Sequence, residues 1–460
     1  MEKKTSEPSK KSVIAVSIVT SFITTFMGSA LNLSIPGMER ELQGSAAQVG
    51  WVITLYMLTC AALTVPFGKL ADKGKKIRIL RIGLLIFTAA SALGIFSYNM
   101  AMVLICRTAQ GVGASMIFST NIALLVGTVD KGQRGKVLGY AACANYAGLS
   151  AGPALGGFLN YNLGWRSIFA AAAIICGIAF FISLKKIPEK TGTEKTEDNG
   201  SDIAGTMLYI VSIVSVMYGA SELSSSFAGP ALLVAGMACF WLFVKREKSA
   251  QAPMIDINMF SQNSAYTCAN LATMINYGAN FGLTYLLSIY LQVARGMDSQ
   301  KAGLIMVIAP AVMSVLSPAM GKLSDRYSPQ IMSSTGVVIC GAAILIFTLM
   351  PEDARSWQIM AALAFSGLGL ALFVTPNTNA VLSSVANDGH GIASSILATM
   401  RSAGHTMSMA VITVIVGIYM GQGSLEGADP QIVMKIVRLS LFIFAVLCIP
   451  GFFMALRRKP

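Results

Sequence analysis

The chain has 460 residues, of which 54% are hydrophobic and only 12% are charged. A soluble domain carries roughly 25% charged residues, so this chain lacks the polar surface that a water-soluble particle of its size needs. Its net charge of +13 does not indicate nucleic-acid binding, because the lysines and arginines recur in short clusters between apolar runs. Composition therefore excludes a soluble enzyme and predicts a membrane protein.

Fourteen apolar runs follow one another along the chain. A membrane-crossing helix needs about 20 apolar residues, and these runs are continuous rather than alternating, which indicates helices. The predicted spans are 12–36, 48–70, 78–97, 100–128, 134–160, 165–185, 203–223, 226–245, 262–292, 301–322, 329–350, 356–386, 390–420 and 432–456. The sequence thus predicts an all-α membrane protein with fourteen transmembrane helices.

The positions of lysine and arginine predict the orientation of these spans. Lys10 and Lys11 fall on the same side of the membrane as the basic loop after the second span and the tail after the last one. Basic residues collect in the short loops that remain in the cytoplasm. Both termini are therefore predicted to be cytoplasmic.

An internal repeat relates the two ends of the chain. Gly68-Lys-Leu-Ala-Asp72 leaves the second span, and Gly321-Lys-Leu-Ser-Asp325 leaves the tenth. A Gly-x-Gly pair followed eight residues later by asparagine occurs in the fourth span at Asn121 and in the twelfth at Asn377. The shift of eight spans predicts a six-helix bundle over 1–186, a cytoplasmic linker over 187–202, two inserted helices over 203–246 and a second six-helix bundle over 247–460. Such repeats hold a binding site near the membrane midplane and rock to give alternating access.

Four motifs resemble the major facilitator superfamily, and specifically its fourteen-helix drug:proton antiporter branch. They are Trp51-Val-Ile-Thr-Leu-Tyr56, Gly68-Lys-Leu-Ala-Asp72-Lys73, Arg107-Thr-Ala-Gln110-Gly111-Val-Gly113 and Gly148-Leu-Ser-Ala-Gly152-Pro153-Ala-Leu-Gly156-Gly157. The resemblance implies the major facilitator fold and a secondary active transporter that exports hydrophobic or amphiphilic, drug-like compounds by proton antiport. It also implies multidrug efflux with antibiotic resistance, a monomer, and a multi-pass protein of the bacterial inner (plasma) membrane.

The loop motif after the second span is expected to be a conformational latch. Gly68 allows a tight turn, and Asp72 can pair with basic groups or with the N-terminus of a helix. We assign the latch to Gly68, Asp72 and Lys73, and through the repeat to Asp325. The alternative for the lysines is that they only set the topology.

Three titratable residues are candidates for proton coupling or relay. Arg107 lies within a span, where a cation costs about 2.5 kcal/mol or more unless it is paired or hydrated. Glu222 is the one acid that could lie in a span, and His405 can titrate near neutral pH. The family's acid in the first span would align with Met27 and is absent. Each candidate has a structural alternative: an arginine tied to backbone carbonyls, an interfacial glutamate or a packing histidine.

The remaining candidates are a hinge and a pocket. The closely spaced Gly148, Gly152, Gly156 and Gly157 with Pro153 predict close helix packing and a bend in the fifth span. An apolar pocket with few polar groups suits amphiphilic ligands. The predicted substrate-binding residues are Asn32, Gln110, Asn145, Tyr146, Asn276, Tyr277, Asn280 and Asn377.

Two alternatives stay open at this point. The first is a transporter of the same fold for an anionic or lipid-like substrate, or a facilitator without proton coupling, which the missing acid favours. The second is a membrane enzyme or channel, which two histidines in the whole chain disfavour. The eight cysteines lack CxxC spacing, so we expect no metal, no cofactor and no disulfide. The expected partners are the small-molecule substrate, protons and the lipid bilayer, and no nucleic acid.

Overall fold

The computed structural model of the chain describes residues 7–34, 38, 41–43, 46–189, 202–221, 228–250, 253–255, 260, 262–297, 299–351, 354–385, 389–420 and 429–456. A few side chains inside these ranges, among them those of Asn32 and Pro153, lie outside the described part. Every regular element in the described residues is helical.

Sixteen α-helices make up the described fold. They are α1 (Glu7–Ser29), α2 (Ala46–Leu70), α3 (Lys76–Ile95), α4 (Met100–Thr128), α5 (Arg134–Ala151), α6 (Gly157–Leu163), α7 (Arg166–Lys186), α8 (Ile203–Ser221), α9 (Ala228–Glu247), α10 (Ser264–Ile289), α11 (Ser299–Met306), α12 (Ile308–Ser324), α13 (Pro329–Leu349), α14 (Ser356–Ser383), α15 (His390–Met420) and α16 (Pro430–Leu456). Short π-helices lie at Ala71–Lys75, Gly152–Gly156 and Tyr290–Ala294, and 3-10 turns lie at Ala30–Ser34 and Lys131–Gln133.

Two predicted spans are interrupted helices. The fifth span is α5 and α6 joined by the π-helix Gly152–Gly156, and the tenth is α11 and α12 separated at Val307. The second break has a chemical reason, because Pro310 carries no N–H to donate to the carbonyl of Met306. With each interrupted pair counted once, the described helices match the fourteen predicted spans, so the predicted fold class is confirmed.

Nine stretches of the described chain are long and apolar enough to cross a membrane, and the stretch Trp51–Ile95 contains most of α2 and all of α3. The helices form two compact units. The first comprises residues 1–200 and 385–398, with a core that includes Ile23, Leu84, Phe87 and Ile117. The second comprises residues 201–384 and 399–460.

Equivalent helices cross at equivalent glycines in the two units. In the first unit, a Cβ atom added to Gly113 of α4 would lie 2.8 Å from the carbonyl oxygen of Gly83 in α3. In the second unit, a Cβ atom added to Gly369 of α14 would lie 3.0 Å from the carbonyl oxygen of Gly336 in α13. Only glycine permits backbones to approach so closely. The repeat found in the sequence is therefore also a repeat of helix contacts.

A pair of buried asparagines repeats in the same way. Asn121 Nδ2 of α4 donates to Thr20 Oγ1 of α1 at 2.9 Å, and Asn377 Nδ2 of α14 donates to Thr273 Oγ1 of α10 at 2.7 Å. Both amides are buried and hydrogen-bonded across a helix pair. Each asparagine therefore fixes the register between two long helices of its own unit.

Candidate functional site

The Asp72 carboxylate caps the N-terminus of α15. Its Oδ1 accepts a hydrogen bond from the backbone N–H of Gly391 at 2.8 Å, and its Oδ2 accepts one from Ile392 at 2.6 Å. Lys76 Nζ lies 3.6 Å from Oδ1, and the Asp72 side chain is 8% exposed. The first N–H groups of a helix have no partner within it, and the helix dipole favours an anion there. Contact with a helix N-terminus is one of the two pairings expected for Asp72, while its role as a latch stays a prediction.

Glycines make this contact possible. A Cβ atom on Gly68 would lie 2.1 Å from Ser395 Oγ, and a Cβ atom on Gly391 would lie 2.5 Å from Asp72 Oδ1. Neither position therefore accepts a larger residue without movement of the loop or of α15. The sequence interpretation included Gly68 but missed Gly391 and Ser395. The Gly389-His-Gly391 run at the start of the thirteenth span was the available signal.

The other predicted latch residues are Lys73, which follows Asp72 directly, and Asp325. Lys73 is in the turn between α2 and α3, where Gly74 adopts φ 81°, a left-handed conformation that suits glycine. Asp325 directly follows the end of α12, in the second unit. Their roles in a latch stay predictions.

Arg107 is fully buried in α4 and binds three neighbouring groups. Its Nε donates to the carbonyl of Val52 in α2 at 2.7 Å, and its Nη1 donates to Gln110 Oε1 at 2.9 Å and to the carbonyl of Met27 in α1 at 3.5 Å. The guanidinium also lies over the Tyr56 ring, 4.3 Å from its centroid. Among the described residues its Nη2 has no hydrogen-bond partner. The cation therefore depends on carbonyls, an amide and a ring rather than on a carboxylate.

Gln110 extends this network to α3. Its Nε2 donates to Ser91 Oγ at 2.8 Å, and that hydroxyl donates to the carbonyl of Phe87 at 2.7 Å. Gln110 is fully buried, so its predicted contact with substrate is not seen in this conformation. Arg107 and Gln110 together connect α1, α2, α3 and α4.

Glycines of the fifth predicted span pack against α1. A Cβ atom on Gly148 would lie 2.3 Å from a carbonyl oxygen of α1, and one on Gly152 would lie 1.9 Å from Ser29 Oγ. A Cβ atom on Gly156 would lie 2.8 Å from the Cβ atom of Ala30 in the following 3-10 turn. These three glycines therefore form one close-packing face.

The segment interrupted at Gly152–Gly156 carries the rest of the predicted hinge. Pro153 lies within this π-helix, and its side chain is outside the described part. Gly157 begins α6 and is half-buried. The interruption coincides with the predicted bend, while its movement stays a prediction.

The predicted pocket residues fall into two environments. Asn276 and Asn280 of α10 are buried; Asn280 Nδ2 donates to the carbonyl of Asn276 at 2.8 Å, and Ser366 Oγ of α14 donates to Asn280 Oδ1 at 3.0 Å. Asn280 and Asn377 are thus hydrogen-bonded between α10 and α14. Asn145 and Tyr146 of α5 are half-buried. The side chain of Asn32 lies outside the described part.

His405 and Tyr277 belong to a small cluster in the second unit. His405 of α15 stacks on Phe281 of α10, with ring centroids 4.4 Å apart, and lies 6.1 Å from the ring of Tyr277. Arg401, one turn earlier on α15, lies over the Tyr277 ring at 5.1 Å. We call these four residues the aromatic–cation cluster.

The described carboxylates lie at the ends of α-helices, in loops or, for Asp72, in the π-helix between α2 and α3. Glu7 begins α1 and Glu247 ends α9, where it is buried and its Oε2 accepts the backbone N–H of Ile255 at 3.0 Å. Glu222 lies outside the described residues. In the described part of the chain, no carboxylate lies in the middle of an α-helix.

Known proteins resemble the chain along most of its length. The sequence profile of the Major Facilitator Superfamily matches residues 17–409 and 269–460. Riboflavin transporter RibZ of Clostridioides difficile is 27% identical and covers 86% of both chains. Multidrug resistance protein Stp of Mycobacterium tuberculosis is 27% identical over 90% of this chain and 78% of its own.

A solved structure shows the same fold. The crystal structure of the human organic anion transporter MFSD10 aligns with a TM-score of 0.71 over 98% of this chain and all of its own, at 12% identity. Fold, profile match and motifs agree with one another. The chain therefore belongs to the Major Facilitator Superfamily and is a multi-pass membrane transporter rather than an enzyme.

Proposed function

We propose that this transporter exports hydrophobic or amphiphilic small molecules by proton antiport with alternating access. It would act as a monomer in the plasma membrane with both termini in the cytoplasm, using bundles at 1–186 and 247–460 with inserted helices at 203–246. The resemblance to the drug:proton antiporter branch and to a multidrug resistance protein supports export.

The observation that carries alternating access is the Asp72 cap on α15. A carboxylate held by two N–H groups at a helix N-terminus can be released by a small displacement of that helix. The same contact can therefore form in one state of the cycle and open in the next.

Proton coupling would depend on an unusual set of groups. Since no described carboxylate lies in the middle of an α-helix, we assign the coupling to His405, whose side-chain type titrates near neutral pH, and to Arg107. Glu222 is retained as the acid predicted from the sequence. The Arg107 network can change the position of α4 relative to α1 and α2 when the cation changes partners.

A facilitator without proton coupling is the second candidate function. The position of the described carboxylates favours it, because an acid in the middle of a membrane span is the usual means of moving protons across a membrane. The riboflavin transporter among the relatives also supports a nutrient-like substrate.

Flux into proteoliposomes separates these candidates. Purified protein is reconstituted, an acid interior is imposed, and uptake of ethidium and riboflavin is followed by fluorescence. We expect accumulation of at least one probe that a protonophore abolishes. Equilibration of a probe across the membrane that does not depend on the pH gradient would support the facilitator, and no movement of either probe would contradict export of such compounds.

Substitutions then assign the coupling group. His405→Gln and Arg107→Ala are expected to lose gradient-driven accumulation, with Asp130→Ala, an exposed loop acid, as the control. If Glu222→Gln keeps full gradient-driven transport, Glu222 is not the coupling acid. If His405→Gln also keeps it, our assignment to His405 is wrong.

A further inference from the structure

The aromatic–cation cluster combines a charge with flat apolar surfaces. Tyr277 and Phe281 are one turn apart on α10, and Arg401 and His405 are one turn apart on α15. The two helices approach closely beside them, because a Cβ atom on Gly404 would lie 2.2 Å from the carbonyl oxygen of Met274. The close crossing holds the four side chains in contact.

The contacts of α10 show which side of this helix its neighbours α14, α15 and α16 do not cover. Thr273 and Asn280 face α14, and Met274 and Gly278 face Gly404 of α15. On the side that faces α16, a Cβ atom on Gly282 would lie 2.3 Å from the Phe444 ring.

An α-helix turns about 100° per residue, which places Tyr277 and Phe281 between the α14 and α15 sides and away from α16. Phe281 remains 36% exposed there. The cluster is therefore on a side of α10 that α14, α15 and α16 leave accessible to a ligand.

Five helices of the second unit offer no acid to balance the charge of the cluster. The sequences of α10, α13, α14, α15 and α16 contain no aspartate or glutamate. Among the described residues, Arg401 Nε is buried without a hydrogen-bond partner. A cation in this position attracts an anion, since a charged donor without a partner is costly in a membrane protein.

We propose that the aromatic–cation cluster binds a planar aromatic anion, with the carboxylate or sulfonate of the ligand on Arg401 and its ring against Tyr277 and Phe281. Guanidinium groups match such anions in a two-point geometry, and aromatic faces stack on flat ligands. His405 extends the flat surface. The further claim that this ligand is the cargo rests on the proposed export function.

Binding to the purified protein in detergent tests the site directly. The probes are naphthalene-2-sulfonate and naphthalen-2-yl-trimethylammonium, which share a ring system and differ in charge, and titration calorimetry gives both affinities. We expect the anion to bind and the cation to bind at least tenfold more weakly. Arg401→Gln is expected to weaken anion binding about tenfold or more.

Three further variants keep the test specific. Arg401→Lys retains the charge and is expected to restore part of the affinity, which shows that a lost fold is not the cause. Tyr277→Leu is expected to weaken both probes, because it removes stacking rather than charge. Arg438→Gln removes an exposed cation of α16 and is expected to leave anion binding unchanged.

The outcomes separate this site from the transport function. Equal binding of both probes, or binding unaffected by Arg401→Gln, would overturn the site while leaving export untouched. Charge-selective binding in a protein that moves no probe across proteoliposomes would sustain the site and overturn the proposed export.

Discussion

At the scale of single residues, the Asp72 carboxylate is the most informative group. Asp72 satisfies two N–H groups that α15 cannot satisfy itself, and glycines at Gly68 and Gly391 allow the approach. The family motif predicted the importance of Asp72 but not its partner, because the partner is 319 residues away and ordinary in composition.

Replacing Asp72 by alanine is expected to expose the start of α15. Loss of a capping side chain costs about 0.5–2 kcal/mol, which is roughly a 2- to 30-fold change in an opening equilibrium. Hydrogen–deuterium exchange of the peptide that contains Gly391 and Ile392 should accelerate by this factor. Asp130→Ala is the matched control, and unchanged protection in Asp72→Ala would show that the cap does not hold α15.

At the scale of helices, buried polar groups decide which elements move together. Arg107 and Gln110 connect four helices of the first unit, and the Asn121 and Asn377 contacts repeat from one unit to the other. The length of the apolar runs predicted the helices. The fifth and tenth spans are interrupted where Gly152–Gly156 and Pro310 disturb backbone hydrogen bonding. Side-chain partners could not be predicted, because sequence does not fix the rotation of each helix about its axis.

The Arg107 network predicts an order of stabilities. Gln110→Leu leaves a buried cation with one fewer acceptor and is expected to lower the free energy of unfolding by about 1–3 kcal/mol. Ser91→Ala removes a neutral acceptor at the end of the network and is expected to cost about 1 kcal/mol. Thermal midpoints of the detergent-solubilised variants give the comparison. A Gln110→Leu protein as stable as the wild type would contradict a supporting role for this contact.

The glycine face of the fifth predicted span predicts that a second substitution restores stability lost by the first. Gly152→Ala would place its methyl group 1.9 Å from Ser29 Oγ, so we expect a cost of about 1–3 kcal/mol from overpacking. Adding Ser29→Gly removes the obstructing side chain and should recover part of this loss. Gly177→Ala, where the nearest atom is 3.6 Å away, serves as the control in the same thermal assay. No recovery in the double variant would mean that the α1 contact is not the cause.

At the scale of the whole molecule, the repeat was predictable because both copies keep glycines at helix crossings. The composition predicted a membrane protein, and the number of apolar runs predicted fourteen helices. The aromatic–cation cluster was only half predicted: His405 and Tyr277 were candidates, while their contact with Phe281 depends on a crossing of α10 and α15 that no motif marks. The sequence left the mechanism of proton coupling open because it, too, depends on contacts between helices that no motif marks.

The central claim is that the contact between Asp72 and α15 opens in every transport cycle. A Cβ atom on Gly391 would lie 2.8 Å from Asp72 Cγ, so the side chains of cysteines at these two positions would meet and can be cross-linked by oxidation. Transport of the probe that moves in proteoliposomes is measured for Asp72→Cys/Gly391→Cys before and after oxidation, with each single variant as control. We predict that oxidation stops transport in the double variant alone and that reduction restores it. Undiminished transport by the cross-linked protein would contradict the account.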